Sequence, residues 1–101
     1  MASRIDLQKK LEELLDSKNV YYKAPENVKM NYPAIKYSLD KIINKKADNG
    51  SYIRNKQYSI TVISKKEDPE VINKLLDLFY CSFDRAYESE NLNHYVFTLY
   101  W

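Results

Sequence analysis

Glycine, cysteine and histidine each occur once in this 101-residue chain, as Gly50, Cys81 and His94. One glycine excludes a Gly-rich phosphate loop, which needs several at fixed spacing. One cysteine excludes a disulfide framework and a thiolate metal cluster, and fits a reducing compartment. A lone histidine among dispersed carboxylates leaves too few ligands for a metal centre, so neither metal nor cofactor is expected. No apolar run approaches the roughly eighteen residues of a membrane span. Met1-Ala-Ser-Arg leads directly into an amphipathic segment, so neither a signal peptide nor a membrane partner is expected.

A decisive net charge is missing as well. The formal charge of +2 is too small to argue for nucleic acid. It is unevenly spread, however. Residues 1–56 hold twelve Lys/Arg against seven Asp/Glu, and residues 57–101 hold four against seven. A half at +5 and a half at −3 suit head-to-tail packing of like subunits, although solvated faces give the same count.

Tyrosine is abundant, with ten in one domain-sized chain. A domain of this length has too little interior for ten phenols with satisfied hydroxyls. Some of them are therefore expected at a partner, where an apolar ring with a polar tip is favoured.

The apolar periodicity predicts an α+β domain spanning 1–101. Ser3 and Asp6 open a helix whose Leu7, Leu11, Leu14 and Leu15 share one face, fading at Ser17-Lys18-Asn19. Val20-Tyr21-Tyr22 reads as a short strand that Pro25 ends. Ile35, Tyr37 and Leu39 alternate with Lys36 and Ser38. Tyr58, Ile60 and Val62 alternate with Ser59 and Thr61. These two strands are expected to pair antiparallel. Asp68-Pro69-Glu70 starts a second helix, with Val71, Leu75, Leu78 and Phe79 inward and Ile72 and Leu76 widening that face. Tyr80–Tyr87 and His94–Trp101 form a closing hairpin around a polar turn at Glu88–Asn93. The expected order is α-(β)-β-β-α-β-β: an antiparallel sheet of four to five strands with both helices on one face.

Residues 40–56 form the longest connection, a loop with strand extensions at its base. It carries Lys41, Lys45, Lys46, Arg54 and Lys56 against Asp40 and Asp48, a local +3, with a turn signal at Asp48-Asn49-Gly50. Tyr52 is its single aromatic, whereas nucleic-acid readers interleave several. The loop is a candidate for contact with an acidic neighbour or with DNA in a channel. A small nucleic-acid-binding or regulatory module is the alternative reading.

Catalytic signals are thin. Cys81 and His94 form a formal nucleophile–base pair across the closing hairpin, but nothing supplies an orienting group or an oxyanion hole. Cys81 reads as a small core residue and His94 as a ring hydrogen-bonded within its turn. Asp84 and Arg85 fall on opposite faces of their strand and suit cross-strand or intersubunit pairing.

Several segments taken together resemble a known group. They are Asn19-Val-Tyr-Tyr, Tyr32-Pro-Ala-Ile-Lys-Tyr, Ala47-Asp-Asn-Gly-Ser-Tyr, Lys56-Gln-Tyr-Ser-Ile-Thr-Val-Ile, and Tyr80-Cys-Ser-Phe-Asp-Arg-Ala-Tyr followed by Asn91-Leu-Asn-His and Phe97. In this order and spacing the chain resembles the tail terminator, tail completion or head–tail joining proteins of tailed bacteriophages. The resemblance covers nearly the whole chain, and the closing block is its most distinctive part.

The resemblance implies a non-enzymatic α+β subunit of a ring, typically a hexamer, at the head-proximal end of the tail tube. Such a ring ends tube polymerisation and meets the head connector or stopper protein, while DNA passes through its lumen unread. It implies assembly in the host cytoplasm and residence in the neck of the virion. Lys41, Lys45, Lys46, Tyr52, Arg54 and Lys56 become a candidate interface or lumen loop, and Arg85, Tyr87, Tyr100 and Trp101 a candidate subunit interface. Phe83, Tyr95, Phe97 and Leu99 are expected under the helices.

Overall fold

A computed structural model describes residues 4–23, 31–46, 52–67, 70–78 and 80–101, with the backbone alone for 43–46 and 52–55. The chain is α+β, with the elements α1 (Arg4–Leu15), β1 (Val20–Tyr22), β2 (Ala34–Lys46), β3 (Tyr52–Ser64), α2 (Glu70–Leu76), β4 (Cys81–Ser89) and β5 (Leu92–Tyr100). One five-stranded sheet runs in the order β1-β2-β3-β5-β4.

Alternation fixes the inward face. Ile35 and Tyr37 of β2, Tyr58, Ile60 and Val62 of β3, and Phe97 and Leu99 of β5 lie on one side. Leu7 and Leu11 of α1 and Val71 and Leu75 of α2 close over them, so both helices share that face. Full burial of each such side chain stabilises the fold by about 1.5–3 kcal/mol. The expected caps Ser3 and Asp68, together with Pro69 and Phe79, lie outside the described residues.

The sheet and its connections differ from the sequence expectation on three points. The sheet is mixed, because β1 pairs parallel to β2, with Val20 opposite Ile35 and Tyr22 opposite Tyr37. Ile35 N–H donates to Asn19 O, and Lys23 N–H to Tyr37 O, each at 2.9 Å. Side-chain alternation reports which face a residue occupies and carries no information about strand direction.

The expected 40–56 loop is also corrected. Its flanks continue β2 and β3, paired from Ile42↔Lys56 to Lys46↔Tyr52. Only residues 47–51 separate the two strands. Lysine, asparagine and arginine obscured the strands because these residues are poor β formers on propensity alone.

The closing turn is tighter than Glu88–Asn93. Ser89 pairs with Leu92, leaving Glu90-Asn91 as a two-residue connection. Both residues have positive φ, 53° and 64°. That is the type I′ geometry, whose twist matches the flanking strands.

With one glycine available, left-handed positions fall to other residues. Asp16, at φ 56°, ends α1. Ser17 N–H reaches back to Glu12 O and Asp16 N–H to Glu13 O, which satisfies two terminal carbonyls. Gln8 then ties α1 to β1 by donating to Val20 O at 3.0 Å.

Candidate interaction surfaces

Strands β2 and β4 each carry one bulge, and in both the extra residue is an aspartate. Asp40 interrupts the pairing between Leu39 and Lys41, and Asp84 interrupts it between Phe83 and Arg85. Asp40 Oδ2 accepts from Gln57 Nε2 at 2.8 Å, and Asp84 Oδ2 from the Thr98 hydroxyl at 2.6 Å. The carboxylates thus bind a neighbouring strand where the backbone ladder breaks. Asp84 meets a hydroxyl across the strands, and the bulge undoes the simple alternation expected of Asp84-Arg85.

Beyond Asp40 the β2–β3 pair leaves the body of the sheet. Strand β5 covers β3 only from Gln57 to Ser64, and β1 covers β2 only from Ile35 to Tyr37. The last tie is Trp101 N–H to Lys56 O at 2.8 Å. Past it, residues 41–46 and 52–56 form a two-stranded arm roughly 20 Å long at ~3.4 Å per residue. The chain measures 51 × 24 × 23 Å, an elongated body for its length. An isolated hairpin is at best marginally stable in water, so this arm has little support of its own.

The candidate loop residues all fall on the arm. Lys41 pairs with Gln57, Lys45 with Ile53, Lys46 with Tyr52, Arg54 with Asn44 and Lys56 with Ile42. Ile42 stands at its base, 54 % exposed. The sequence gives no signal for Ile42, which lies beside Ile43 in a stretch that reads as a loop.

The second group divides. Arg85 and Tyr87 lie on the sheet face away from the helices, opposite Val96 and His94. Tyr87 is 45 % exposed and Tyr100 42 %. Tyr87 stacks on His94 with centroids 4.7 Å apart, and the Arg85 guanidinium lies 5.8 Å from the Tyr87 ring. Trp101 is different: it packs against the core cluster, edge-on to Tyr80 at 5.8 Å. Phe97 and Leu99 are buried under the helices and Tyr95 partly so. Phe83 is not covered as expected: on edge strand β4 it is 46 % exposed, touching Phe97 edge-on at 5.4 Å.

The tyrosines split between core and surface. Tyr37 and Tyr58 are buried, and rings run Tyr22–Tyr37–Tyr58 with centroids 5.0 and 6.0 Å apart. The Tyr37 hydroxyl donates to Gln8 Oε1, and Arg4 lies 4.4 Å over the Tyr22 ring. Burial raises the Tyr37 phenol above its ordinary range, partly offset by Arg4, and raises Tyr58 likewise.

Cys81 and His94 are not a catalytic pair. Cys81 aligns with Leu99 and His94 with Tyr87, five positions apart along β5, or ~17 Å at ~3.4 Å per residue. They also occupy opposite faces. Burial first, then Asp84, pushes the Cys81 thiol up to about 11, which keeps it protonated and unreactive at neutral pH. His94 Nδ1–H donates to Leu92 O at 3.1 Å, so the local bond the sequence places within the turn falls at the start of β5. Among the described residues no cluster of His, Cys, Asp or Glu is placed to hold a metal ion. Among them, too, no helix is long and apolar enough to cross a membrane.

A cavity of about 510 Å³ opens beside Pro33, Ser64 and Glu70. Lys65, Lys66 and Glu67 on its wall are all exposed, so it presents a solvated rim rather than convergent buried polar groups. No protein-family model matches the sequence, and comparison with curated proteins and with solved structures gives no match.

Proposed function

We propose that the chain is a non-enzymatic structural subunit of the neck of a tailed bacteriophage or prophage. In this reading it forms a ring on the head-proximal end of the tail tube, ends tube polymerisation and joins the tail to the head connector. It performs no catalysis and needs no cofactor, and DNA passes through the ring without being read. It resides in the virion after assembly in the bacterial cytoplasm.

The observation that carries this reading is the projecting arm. Two strands bearing five cations extend past the body, and among the described residues no third strand lies beside them. Such a ribbon is stabilised when a partner covers it, as a subunit in an assembly would. The exposed rings of Phe83, Tyr87 and Tyr100 add apolar area of the kind interfaces use. The segments that resemble tail terminator proteins supply the kind of assembly.

The test is polymerisation of the tail-tube protein with and without the chain. Tubes that stop growing and carry the chain at one end, seen by electron microscopy, are the expected result. Tubes of unchanged length with no bound chain overturn the proposal.

The arm's cations also favour a second reading, a module that binds nucleic acid through their contacts with phosphates. Duplex binding that weakens steeply with salt, and is lost on Lys45→Glu with Lys46→Glu, supports that reading. Absence of binding at low salt removes it.

A further inference from the structure

We propose that the basic β2–β3 arm of one copy docks along the acidic free edge of β4 in the next, extending that sheet by strand addition. The inference rests on the self-assembly part of the preceding reading and names the contact that would build it.

Both surfaces are incomplete in the same way. Strand β4 is the last in the sheet, and among the described residues no strand lies on its outer side. Ser82 to Ser89 are all exposed. Among the described residues, the outer edge of β2 is equally uncovered beyond Tyr37. Each edge presents backbone donors and acceptors that another strand can pair with. The lengths also correspond. The Asp84 bulge leaves a regular run from Arg85 to Ser89, and the arm offers residues 41–46.

Charge selects which edges meet. The arm carries Lys41, Lys45, Lys46, Arg54 and Lys56. The β4–β5 hairpin carries Asp84, Glu88 and Glu90 against Arg85 alone, a net −2. Two β4 edges repel, and so do two arms, whereas arm against β4 joins opposite signs. Exposed apolar groups accompany the charges on both sides, Ile42 at the arm's base and Phe83 and Tyr87 on β4.

The topology makes the contact directional. Strand β5 runs antiparallel to β3, with Asn93 opposite Ser64 and Tyr100 opposite Gln57. The Glu90-Asn91 turn therefore lies at the end of the sheet remote from the arm. A subunit with its donor at one end and its acceptor at the other makes a heterologous contact, which closes into a ring when the rotation permits.

The test is a charge swap read by light scattering after size exclusion. Lys45→Glu with Lys46→Glu, and separately Glu88→Lys with Glu90→Lys, should each abolish self-association while circular dichroism stays that of the folded chain. Mixing the two variants should restore hetero-association, because each retains one half of the contact. A wild type that remains monomeric at its highest attainable concentration overturns the proposal. Reversed variants that self-associate as wild type does, or a mixture that stays dissociated, also overturn it.

The two proposals fail separately. Wild-type chain that caps tail tubes but ignores the charge swap sinks only this contact. Chain that obeys the swap but never binds tubes sinks only the neck-protein reading.

Discussion

Glutamate is an unfavourable residue for the first position of a type I′ turn, and replacing Glu90 measures the cost. Its φ of 53° places a Cβ-bearing residue in the left-handed region. That conformation costs an ordinary L-residue about 1–2 kcal/mol. Glu90→Gly removes the cost but gives back about 0.5–1 kcal/mol through greater freedom of the unfolded chain. The net expectation is a gain of about 0.5–1 kcal/mol, or about 2–8 °C in Tm at ~4–8 °C per kcal/mol for a domain of this size. Urea unfolding followed by fluorescence of Trp101, the single tryptophan, reads it directly. Glu90→Gln is the control, since it keeps the Cβ and loses the charge, and it should match wild-type stability. Equal gains in both variants would mean that charge rather than backbone governs the turn. No gain, or a loss, in Glu90→Gly would refute the type I′ argument. Under the docking proposal both variants weaken self-association, so Glu90→Gly becomes more stable while it assembles less well. A residue kept in an unfavourable conformation at a functional edge has that signature.

Tyr37→Phe should cost about 1 kcal/mol, because it removes the hydroxyl that donates to Gln8 and leaves Gln8 Oε1 without that partner; an unchanged urea midpoint would show that water replaces the bond. Stability should also fall in alkali. Cys81 is held protonated up to about 11 in the fold against 9.0 for an ordinary thiol, and Tyr37 and Tyr58 are shifted the same way. The unfolded chain therefore releases these protons first. Stability is intact below about pH 9 and declines as pH rises toward about 11, and a urea midpoint flat across that interval contradicts the burial of these groups.

Most of the fold was legible because burial and period coincide. Leu7, Leu11, Val71 and Leu75 recur at helical spacing, and Tyr58, Ile60 and Val62 alternate, so the sequence marks both helix faces and the inner sheet face. The parallel β1 was not legible, since Val20-Tyr21-Tyr22 shows alternation but no direction. The arm was misread as loop for a different reason. Its lysines, asparagines and arginine break up Ile42, Ile43, Tyr52 and Ile53, and strand and loop look alike when apolar alternation is gone. Phe83 shows the converse. It alternates as a core residue would, yet β4 is the edge strand and its ring stays half in water. Position within a sheet is a long-range property, and the local pattern does not encode it.

Strand β3 is one continuous run of backbone with two different environments. From Gln57 to Ser64 it is flanked by β2 and β5, whereas from Tyr52 to Lys56 it has β2 alone. Amides in the first stretch are released to solvent only when the core opens, and those in the second by fraying of a two-stranded ribbon. Hydrogen exchange along this strand should therefore change by orders of magnitude near Lys56, where Trp101 makes the last bond on the β5 side. Tyr37, Tyr58 and Phe97 all sit where the sheet has a neighbouring strand on both sides. One strand thus combines a stretch anchored along both edges with a segment anchored along one.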